Sequence, residues 1–426
     1  MEFKQYPSYK PSGVEWLGDV PEHWQIVRTK DIFNHRKEEA LEDDEIVTAF
    51  RDGQVTLRKN RRTDGFTNSL KEHGYQHINS GDLVIHEMDA FAGAIGVSDS
   101  SGKSTPVYSV CYAKNENINH HFYSHFFRTM AKTGFINSLA KGIRVRSTEF
   151  RWNESRNVYL VEPPKSDQQK IVAFLDTENT RIDNLIAKQE KLIELLEEQR
   201  KSIISHAVTK GLNPNAPMKD SGVEWLGEVP EDWEVKRFGY IFTENKKKNI
   251  GLIETNVLSL SYGNIKEKNI DDNKGLLPES FETYQIIEPN DIVFRFTDLQ
   301  NDKRSLRNAI SKYHGIITSA YIGVKTKENA DFYNYLFRAY DLQKVFYSMG
   351  DGMRQSLKMD ELNKMPIVLP KIEAQERIVK FINEENQRIN NLVVKQKNLI
   401  EKLKEYRSSI ISHAVTGKIN VQEFGA

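Results

Sequence analysis

Two long stretches of the chain carry apolar residues at the three- and four-residue spacing of a helix seam. In the first stretch these residues are Ile171, Leu175, Ile182, Leu185, Leu192, Leu196 and Ile203. In the second they are Ile378, Ile382, Ile389, Leu392, Leu399, Leu403 and Ile410, each 207 positions further on. Polar residues interrupt both seams at matching places. This spacing is typical of a coiled coil, so the pattern predicts two long helices that pair with each other.

The ends of both helices are marked in the sequence. Their boundary residues are Pro163, Pro164 and Pro370 before the helices, and Gly211 and Gly417 after them. Proline disfavours helix on its N-terminal side, and glycine commonly terminates a helix. Ser166 and Gln169 have the spacing of a capping box in the first copy. About 40 residues with a rise of ~1.5 Å each predict a rod on the order of 60 Å long.

The rest of the chain is also duplicated. The block Ser12–Trp24 returns as Ser221–Trp233, and the block Ser202–Thr209 returns as Ser409–Thr416. After each Trp-containing block come short β-branched and aromatic runs separated by Gly, Asn and Asp, which are strand and turn signals. A predicted helix follows in both copies. The duplication predicts two similar surfaces on one polypeptide, related by a pseudo-two-fold axis.

Between these matching segments the two halves differ. The stretches Arg51–Gly65 and Asp298–Lys312 show no counterpart in the other half. We therefore expect two equal frames that carry unequal loops. Loops of this kind, held on a constant scaffold, are where binding residues concentrate.

The order globule, helix, globule, helix predicts the fold class and the domain organisation. We expect an α+β protein in which two similar α/β domains are joined by two long antiparallel coiled-coil helices. The predicted bounds are a first domain at 1–167, the first long helix at 168–212, a second domain at 213–374, the second long helix at 375–418 and a tail at 419–426. The short link after the first helix predicts globules at opposite ends of one rod.

The composition is that of a globular protein and restricts the partners. Of the 426 residues, 38% are hydrophobic and 28% are charged, and Lys plus Arg equals Asp plus Glu at 60 each. A nucleic-acid surface must therefore be a local patch. The chain has one cysteine, Cys111, and lacks both a long apolar run and an apolar stretch at its amino terminus. These features predict a cytoplasmic protein.

Three of the repeated segments resemble the constant regions of a known family. They are the Ser-Gly-Val-Glu-Trp-Leu-Gly-x-Val-Pro-Glu-x-Trp opening, the Pro-Pro-x-x-x-Gln-Gln-Lys-Ile start of the first long helix, and the Ser-Ile-Ile-Ser-His-Ala-Val-Thr-x-Gly end of both helices. In these segments, and over essentially its whole length, the chain resembles the specificity subunits of type I restriction-modification enzymes. In the second helix the start is Leu369-Pro370 instead of Pro-Pro.

The resemblance implies two target-recognition domains, each reading one half of an asymmetric, bipartite double-stranded DNA site. It further implies that the helices dock two methyltransferase subunits and that two restriction subunits join the complex. Such a subunit is not an enzyme and holds no cofactor. S-adenosylmethionine would belong to the partner methyltransferase, and ATP with Mg²⁺ to the partner restriction subunit.

Several segments imitate catalytic motifs. Gly96–Ser104 resembles a phosphate-binding loop, but five residues separate its glycines where the motif has four. Asp89–Gly96 resembles a glycine-rich cofactor loop, but the chain lacks the Asn-Pro-Pro or Asp-Pro-Pro motif that would grip a flipped base. His120, His121 and His125 offer a His-x-x-x-His metal-ligand spacing that the second half does not repeat. His206 and His413, near the helix ends, complement the helix dipole. We expect neither catalysis nor a metal here.

The candidate DNA contacts are basic residues in the unequal loops and in one paired patch. Arginine recognises guanine edges, while lysine and arginine on phosphates set the position of the protein. The candidates are Arg51, Arg58, Lys59, Arg61, Arg62, Lys141, Arg144 and Arg146 in the first half, and Arg295, Lys303, Arg304, Arg307, Arg354 and Lys358 in the second.

Two other classes of function remain open at this point. One is a coiled-coil scaffold that binds only proteins, and the other is a stand-alone DNA methyltransferase or nuclease. The combination of constant helices with divergent Arg-rich loops favours DNA recognition over a scaffold. The lack of a catalytic motif repeated in both halves disfavours an enzyme.

Overall fold

The structure is a computed structural model that describes residues 3–61, 73–139, 150–268, 280–297, 306–349 and 356–424. The chain forms two compact units. Unit 1 comprises Met1–Gln189 and Lys397–Ala426, and unit 2 comprises Glu190–Gln396. Each long helix begins in one unit and ends in the other, so each unit is completed by residues from both halves of the sequence.

Unit 1 builds its globular part from short strands and short helices. The strands are β1 (Tyr9–Pro11), β2 (Asp19–Pro21), β3 (Gln25–Arg28), β4 (Phe33–His35), β5 (Val47–Ala49), β6 (Val55–Leu57), β7 (Gln76–Ile78), β8 (Leu83–His86), β9 (Ile95–Val97), β10 (Gly102–Ser104), β11 (Tyr108–Ala113) and β12 (Tyr159–Glu162). The helices are α1 (Thr29–Ile32), α2 (His120–Lys132), α3 (Phe135–Ser138), α4 (Trp152–Ser155) and the long α5 (Lys165–Lys210).

Unit 2 repeats this plan. Its strands are β13 (Met218–Asp220), β14 (Glu228–Pro230), β15 (Glu234–Arg237), β16 (Phe242–Glu244), β17 (Leu258–Ser261), β18 (Asn264–Glu267), β19 (Gln285–Ile287), β20 (Ile292–Phe294), β21 (Asn308–Ile310), β22 (Gly315–Ile317), β23 (Ile322–Thr326) and β24 (Pro366–Leu369). Its helices are α6 (Phe238–Ile241), α7 (Ala330–Leu342), α8 (Val345–Met349), α9 (Met359–Leu362) and the long α10 (Ile372–Val415).

The sheet topology confirms the duplication. Unit 1 has a four-stranded antiparallel sheet in the order β4-β11-β8-β9, and unit 2 has one in the order β16-β23-β20-β21. Taking the elements in chain order, each strand of the first sheet corresponds to the strand at the same place in the second. In each unit the central helix, α2 or α7, presents buried aromatic residues to the core.

The Trp-containing blocks pack against the ends of the long helices. In unit 1, Trp24 is fully buried in one cluster with Ala414 and Val415 from the last turn of α10. Gly417 ends that helix at φ 73°, and a Cβ there would lie 2.4 Å from Cδ of Pro21. In unit 2, Gly211 ends α5 at φ 77° beside Trp233. The prediction that glycine ends both helices is confirmed.

Residues 419–424, predicted to be a tail, join the core of unit 1. Ile419 and Val421 are buried in the same cluster as Trp24, and the ring of Phe424 lies 4.7 Å from that of Phe174. The backbone N–H of Asn420 donates to the carbonyl of Lys4 over 2.8 Å. Both ends of the described chain therefore pack together in unit 1.

The long helices pair antiparallel within each unit, as predicted. In unit 1, Arg407 of α10 forms an ion pair with Asp183 of α5. In unit 2, Arg200 of α5 donates to Asn390 of α10 over 2.7 Å. In unit 1, Lys170 near the start of α5 also donates to the carbonyl of Gln422, beyond the end of α10, over 3.1 Å, so the two helices run in opposite directions there. Among the described residues, no helix is long and apolar enough to cross a membrane.

The predicted apolar seam differs from the observed one at one matching position in each long helix. Leu192 and Leu399 were predicted to lie inside, but their side chains are 40% and 41% exposed. Their neighbours take the inner place: Ile193 packs on a buried cluster, and Ile400 is 7% exposed. A helix with ~3.6 residues per turn drifts by about 20° per heptad, so the apolar stripe moves round by one residue.

The predicted capping box at Ser166 is also corrected. The Ser166 hydroxyl donates to the Asp167 side chain over 3.3 Å, and α5 already begins at Lys165. The buried amide of Gln168 instead stabilises the start of the helix. It donates to the carbonyl of Pro163 over 2.8 Å and accepts from the N–H of Asn119, the N-cap of α2, over 2.9 Å.

Unit 2 contains the equivalent hydrogen bonds. The buried amide of Gln375 donates to the carbonyl of Pro370 over 2.9 Å and accepts from the N–H of Asn329, the N-cap of α7, over 3.0 Å. The glutamine in the Pro-Pro-x-x-x-Gln motif therefore ties the long helix to the central helix of each globule.

Replacing Gln168 by alanine should destabilise unit 1. Several buried backbone groups would lose their partner, and we expect a cost of about 1–3 kcal/mol. Gln169 is exposed and provides the matched control, with an expected change within about 0.5 kcal/mol on substitution by alanine. Thermal unfolding of both variants measures the difference. Equal stability of the two variants would contradict the role assigned to Gln168.

Candidate nucleic-acid interface

Three of the predicted DNA-contacting arginines line one groove in unit 1. The groove lies beside the hairpin β5–β6 and has a volume of about 870 Å³. Its lining includes Arg51, Asp52, Arg58, Arg61, His86, Asp89 and Tyr108. Residues from the hairpin, from the turn after it and from the end of β8 therefore meet at one concave surface. Lys59 lies in the same turn and forms an ion pair with Glu45.

Carboxylates hold the guanidinium groups at the rim of this groove. Arg51 forms an ion pair with Asp89 at 3.0 Å, and Arg61 forms one with Asp52 at 2.8 Å. The Arg61 guanidinium also lies over the ring of Phe50, 4.2 Å from its centroid. Exposed ion pairs of this kind contribute only about 0–1 kcal/mol. The carboxylates therefore orient the arginines and can be displaced by a stronger anion.

The floor of the groove is neutral. The rings of His86 and Tyr108 lie with centroids 4.6 Å apart. Burial lowers the pKa of His86, and its Nδ1 accepts the N–H of Asp89 over 3.2 Å, which leaves the proton of the neutral ring on Nε2. Burial raises the pKa of Tyr108 to about 12, so its hydroxyl stays protonated at neutral pH. These two rings therefore contribute no charge to the groove at neutral pH.

The hairpin has a counterpart that the sequence comparison missed. Hairpin β17–β18 of unit 2 occupies the corresponding place in the chain, and its turn contains Tyr262 and Gly263 at φ 47° and 71°. In unit 1 the turn contains Gly53 at φ 94°. The expectation that the segment from Arg51 onward has no counterpart is therefore corrected for its first part. Two residues separate the paired strands in unit 2 and five separate them in unit 1, and this difference in length hid the match.

The turn of the second hairpin exposes residues that were not predicted. Tyr262 is 74% exposed, and Asn264 donates its amide to the Tyr262 carbonyl over 3.1 Å. The sequence signal was a Gly-Asn turn between two runs with strand character. Neither residue is basic, so a prediction based on arginine and lysine does not include them.

Arg307 is corrected from a DNA contact to an internal residue. Its side chain is fully buried in unit 2. The guanidinium donates to the carbonyl of Thr297 over 3.1 Å and lies over the ring of Tyr347, and the backbone N–H donates to Asp341 over 2.9 Å. Sequence reasoning could not identify this arginine as buried, because the tertiary fold alone places it inside.

The other candidates in unit 2 lie at different places. Arg295 follows β20, is half-buried, and its backbone N–H donates to the carbonyl of Arg307 over 2.8 Å. Lys358 is exposed and precedes α9, where its N–H donates to the Glu361 carboxylate over 2.7 Å. The remaining candidates fall outside the described residues: Arg62, Lys141, Arg144, Arg146, Lys303, Arg304 and Arg354.

The glycines of the segments that imitate cofactor loops bring backbones close together. Gly93 and Gly96 lie beside the β5–β6 hairpin, where a Cβ on Gly96 would be 2.0 Å from the Gly53 carbonyl oxygen. Gly102 lies in β10, and the chain continues into β11 instead of a helix. Within the described ranges no group of three or more His, Cys, Asp and Glu side chains could hold a metal. Burial raises the pKa of the Cys111 thiol.

Comparison with known proteins agrees with this architecture. No protein-family model matches the chain. In sequence it is similar to a protein named as the type I restriction enzyme MjaX specificity subunit of Methanocaldococcus jannaschii, with 22% identity covering 95% of this chain and 96% of that protein. It is also 23% identical to the MjaVIII specificity subunit of the same organism, with 95% and 94% covered.

Two solved structures share the fold over nearly the full length. One is the HsdS subunit of Thermoanaerobacter tengcongensis, with a TM-score of 0.55, 15% identity, and 94% of this chain and 98% of that chain covered. The other comes from a study of complex assembly and conformational transition of the type I restriction-modification system, with a TM-score of 0.60, 14% identity, and 93% and 98% covered. The resemblance predicted from the repeated motifs is confirmed: over nearly its full length this chain is similar to specificity subunits of type I restriction enzymes.

Proposed function

We propose that this chain is the DNA sequence-specificity subunit of a type I restriction-modification system and reads a bipartite, asymmetric site with its two recognition domains. The main support is the full-length similarity to specificity subunits of that class. The structure adds a physical reason: two equal frames present hairpins with different turns. Two similar domains whose hairpin turns differ suit a DNA target whose two halves differ.

We propose that this chain selects the DNA and leaves the chemistry to its partners. In this proposal the long helices dock two methyltransferase subunits, and two restriction subunits complete the complex. S-adenosylmethionine would be held by the methyltransferase, and ATP with Mg²⁺ by the restriction subunit, while this chain binds no cofactor. The complex would work in the cytoplasm. Exposed leucines on the helices, Leu192, Leu195 and Leu399, support a docking role.

In the first recognition domain the proposed readers line the groove of unit 1. Arginines already oriented by Asp52 and Asp89 can exchange these carboxylates for phosphate oxygens or for the acceptor edge of guanine. A carboxylate that is released can accept from the amino group of cytosine. In the second domain Tyr262 and Asn264 provide an exposed ring and an amide in place of the arginines.

A gel-shift experiment tests the proposal against a scaffold that binds only proteins. The purified chain, alone and with its methyltransferase partner, is titrated with DNA duplexes that carry or lack the methylated motif of the host genome. We expect a selective complex with the partner and weak binding by the chain alone, because its net charge is zero. A lack of sequence selectivity under both conditions would favour the scaffold.

Replacing Arg51, Arg58 and Arg61 together by alanine should relax discrimination in one half of the site. Each arginine that contacts a base should contribute about 1–3 kcal/mol at one position, whereas the loss of a phosphate contact weakens binding to all sequences alike. Selection from a randomised duplex library measures both effects. Arg156, exposed in the same unit and outside the groove, is the control. An unchanged profile for the triple variant would remove the groove from the interface.

Replacing Asp52 and Asp89 by asparagine should change affinity and selectivity in opposite directions. Without the two carboxylates the rim repels phosphate less. Its arginine side chains are also held less firmly in one orientation. We expect tighter binding to all duplexes, a slope of log affinity against log salt that is steeper by about 1–2, and poorer discrimination. Salt titrations with matched and unmatched duplexes measure these changes. Glu22→Gln, at an exposed acid outside the groove, should leave the slope unchanged.

A further inference from the structure

Equivalent arginines reach the turn glycines of the two hairpins. Arg128 of α2 and Arg338 of α7 occupy matching positions. Each lies six residues after the phenylalanine that opens its matched segment, Phe122 or Phe332. In unit 1 a Cβ added to Gly53 would lie 2.4 Å from the guanidinium carbon of Arg128. The guanidinium therefore packs directly against the turn.

The same contact occurs in unit 2 with different details. An Nη2 hydrogen of Arg338 is donated to the carbonyl oxygen of Gly263. A Cβ added to Gly263 would lie 2.8 Å from Arg338 Nη2 and 2.7 Å from Cδ1 of Leu306. Both glycines have positive φ, 94° for Gly53 and 71° for Gly263. A side chain at either position would have to displace the arginine, and the positive φ favours glycine in both units.

The electrostatic surroundings of the two arginines are also alike. Among the described residues, no carboxylate lies within ion-pair distance of Arg128 or Arg338, and the Nε atom of each is buried without a hydrogen-bond partner. Burial lowers the pKa of both guanidinium groups. A partly buried charge without a carboxylate partner is costly, so a hairpin that needed only packing would be served better by an apolar side chain.

The turns themselves differ. Unit 1 has Arg51 and Asp52 before its glycine, whereas unit 2 has Tyr262. The two hairpins therefore share the glycine and the arginine beneath it and differ in the residues that face outward. Gly96 also brings β9 close to Gly53, so the first turn is held from two sides. This arrangement fixes the position of the turn and leaves its outer side chains free to vary.

We propose that Arg128 and Arg338 are positioning residues for sequence recognition, each holding the turn of its hairpin at the position from which the outward side chains reach the DNA. This inference rests on the proposed function. The arginines act through the hairpin, because each guanidinium packs on the inner side of the turn. Their loss should therefore affect one half of the DNA site at a time.

The test compares Arg128→Met with Arg338→Met in the full chain bound to its methyltransferase partner. Methionine keeps most of the apolar stem and removes the guanidinium. The selectivity of each complex is measured with a duplex library randomised separately in each half of the site. We expect Arg128→Met to lower discrimination about tenfold in one half, within the range for a single base contact, and to leave the other half unchanged. Arg338→Met should produce the reciprocal result.

Two further variants separate positioning from general loss of structure. Gly53→Ala displaces the turn from the opposite side of the same contact and should relax the same half of the site as Arg128→Met. Lys132→Met changes a cation on the same helix that lies near Ser408 instead of the hairpin, and it should leave both halves unchanged. Thermal unfolding of every complex shows whether the fold persists.

The possible outcomes are distinct. A profile that stays unchanged in both halves for Arg128→Met and Arg338→Met would overturn the inference, and so would an equal loss in both halves from either variant. If the unmodified complex selects no sequence, the proposed function itself fails. If the unmodified complex is selective and the variants behave like it, only the positioning role fails.

Discussion

The packing of each Trp-containing block against the end of a long helix is the contact on which both units depend. In unit 1 the block from the start of the chain meets the last turn of α10, with Trp24, Ala414 and Val415 in one buried cluster. The core of unit 1 is therefore complete only when the final residues are in place. Glycine at the helix end is required, because a side chain on Gly417 would collide with Pro21.

This arrangement explains why the repeated motifs lie at the ends of each half. The Trp block, the glutamine at the helix start and the glycine at the helix end all lie where the helices meet the globules. A change in any of them would disturb a junction, whereas the hairpin strands pack in buried clusters of their own. The frame and the variable surface are thus separated in the structure, and one can stay constant while the other differs.

The distribution of charge follows the same separation. The chain has no net charge, and Arg51 and Arg61 at the groove of unit 1 are paired with carboxylates. A surface of this kind attracts polyanions weakly. Its binding free energy is most favourable when every arginine–carboxylate ion pair is exchanged for a well-placed contact with the bound polyanion. In physical terms such a surface favours selectivity over affinity.

The candidate site was only partly predictable. Arg51, Arg58 and Arg61 were named from the sequence and do line one groove. Arg307 was named for the same reason and is buried, while Tyr262 was missed because it carries no charge. Composition identifies residues capable of contacting DNA, but exposure depends on how the strands and helices pack around each one.

The sequence by itself determined the duplication, the two long helices, their glycine ends and the antiparallel pairing, because these follow from repeated motifs and from local periodicity. Only the tertiary structure decided that Ile193 replaces Leu192 in the seam, that Gln168 and not Ser166 secures the helix start, and that residues 419–424 complete unit 1. These features arise from contacts between residues far apart in the chain, which no local pattern records.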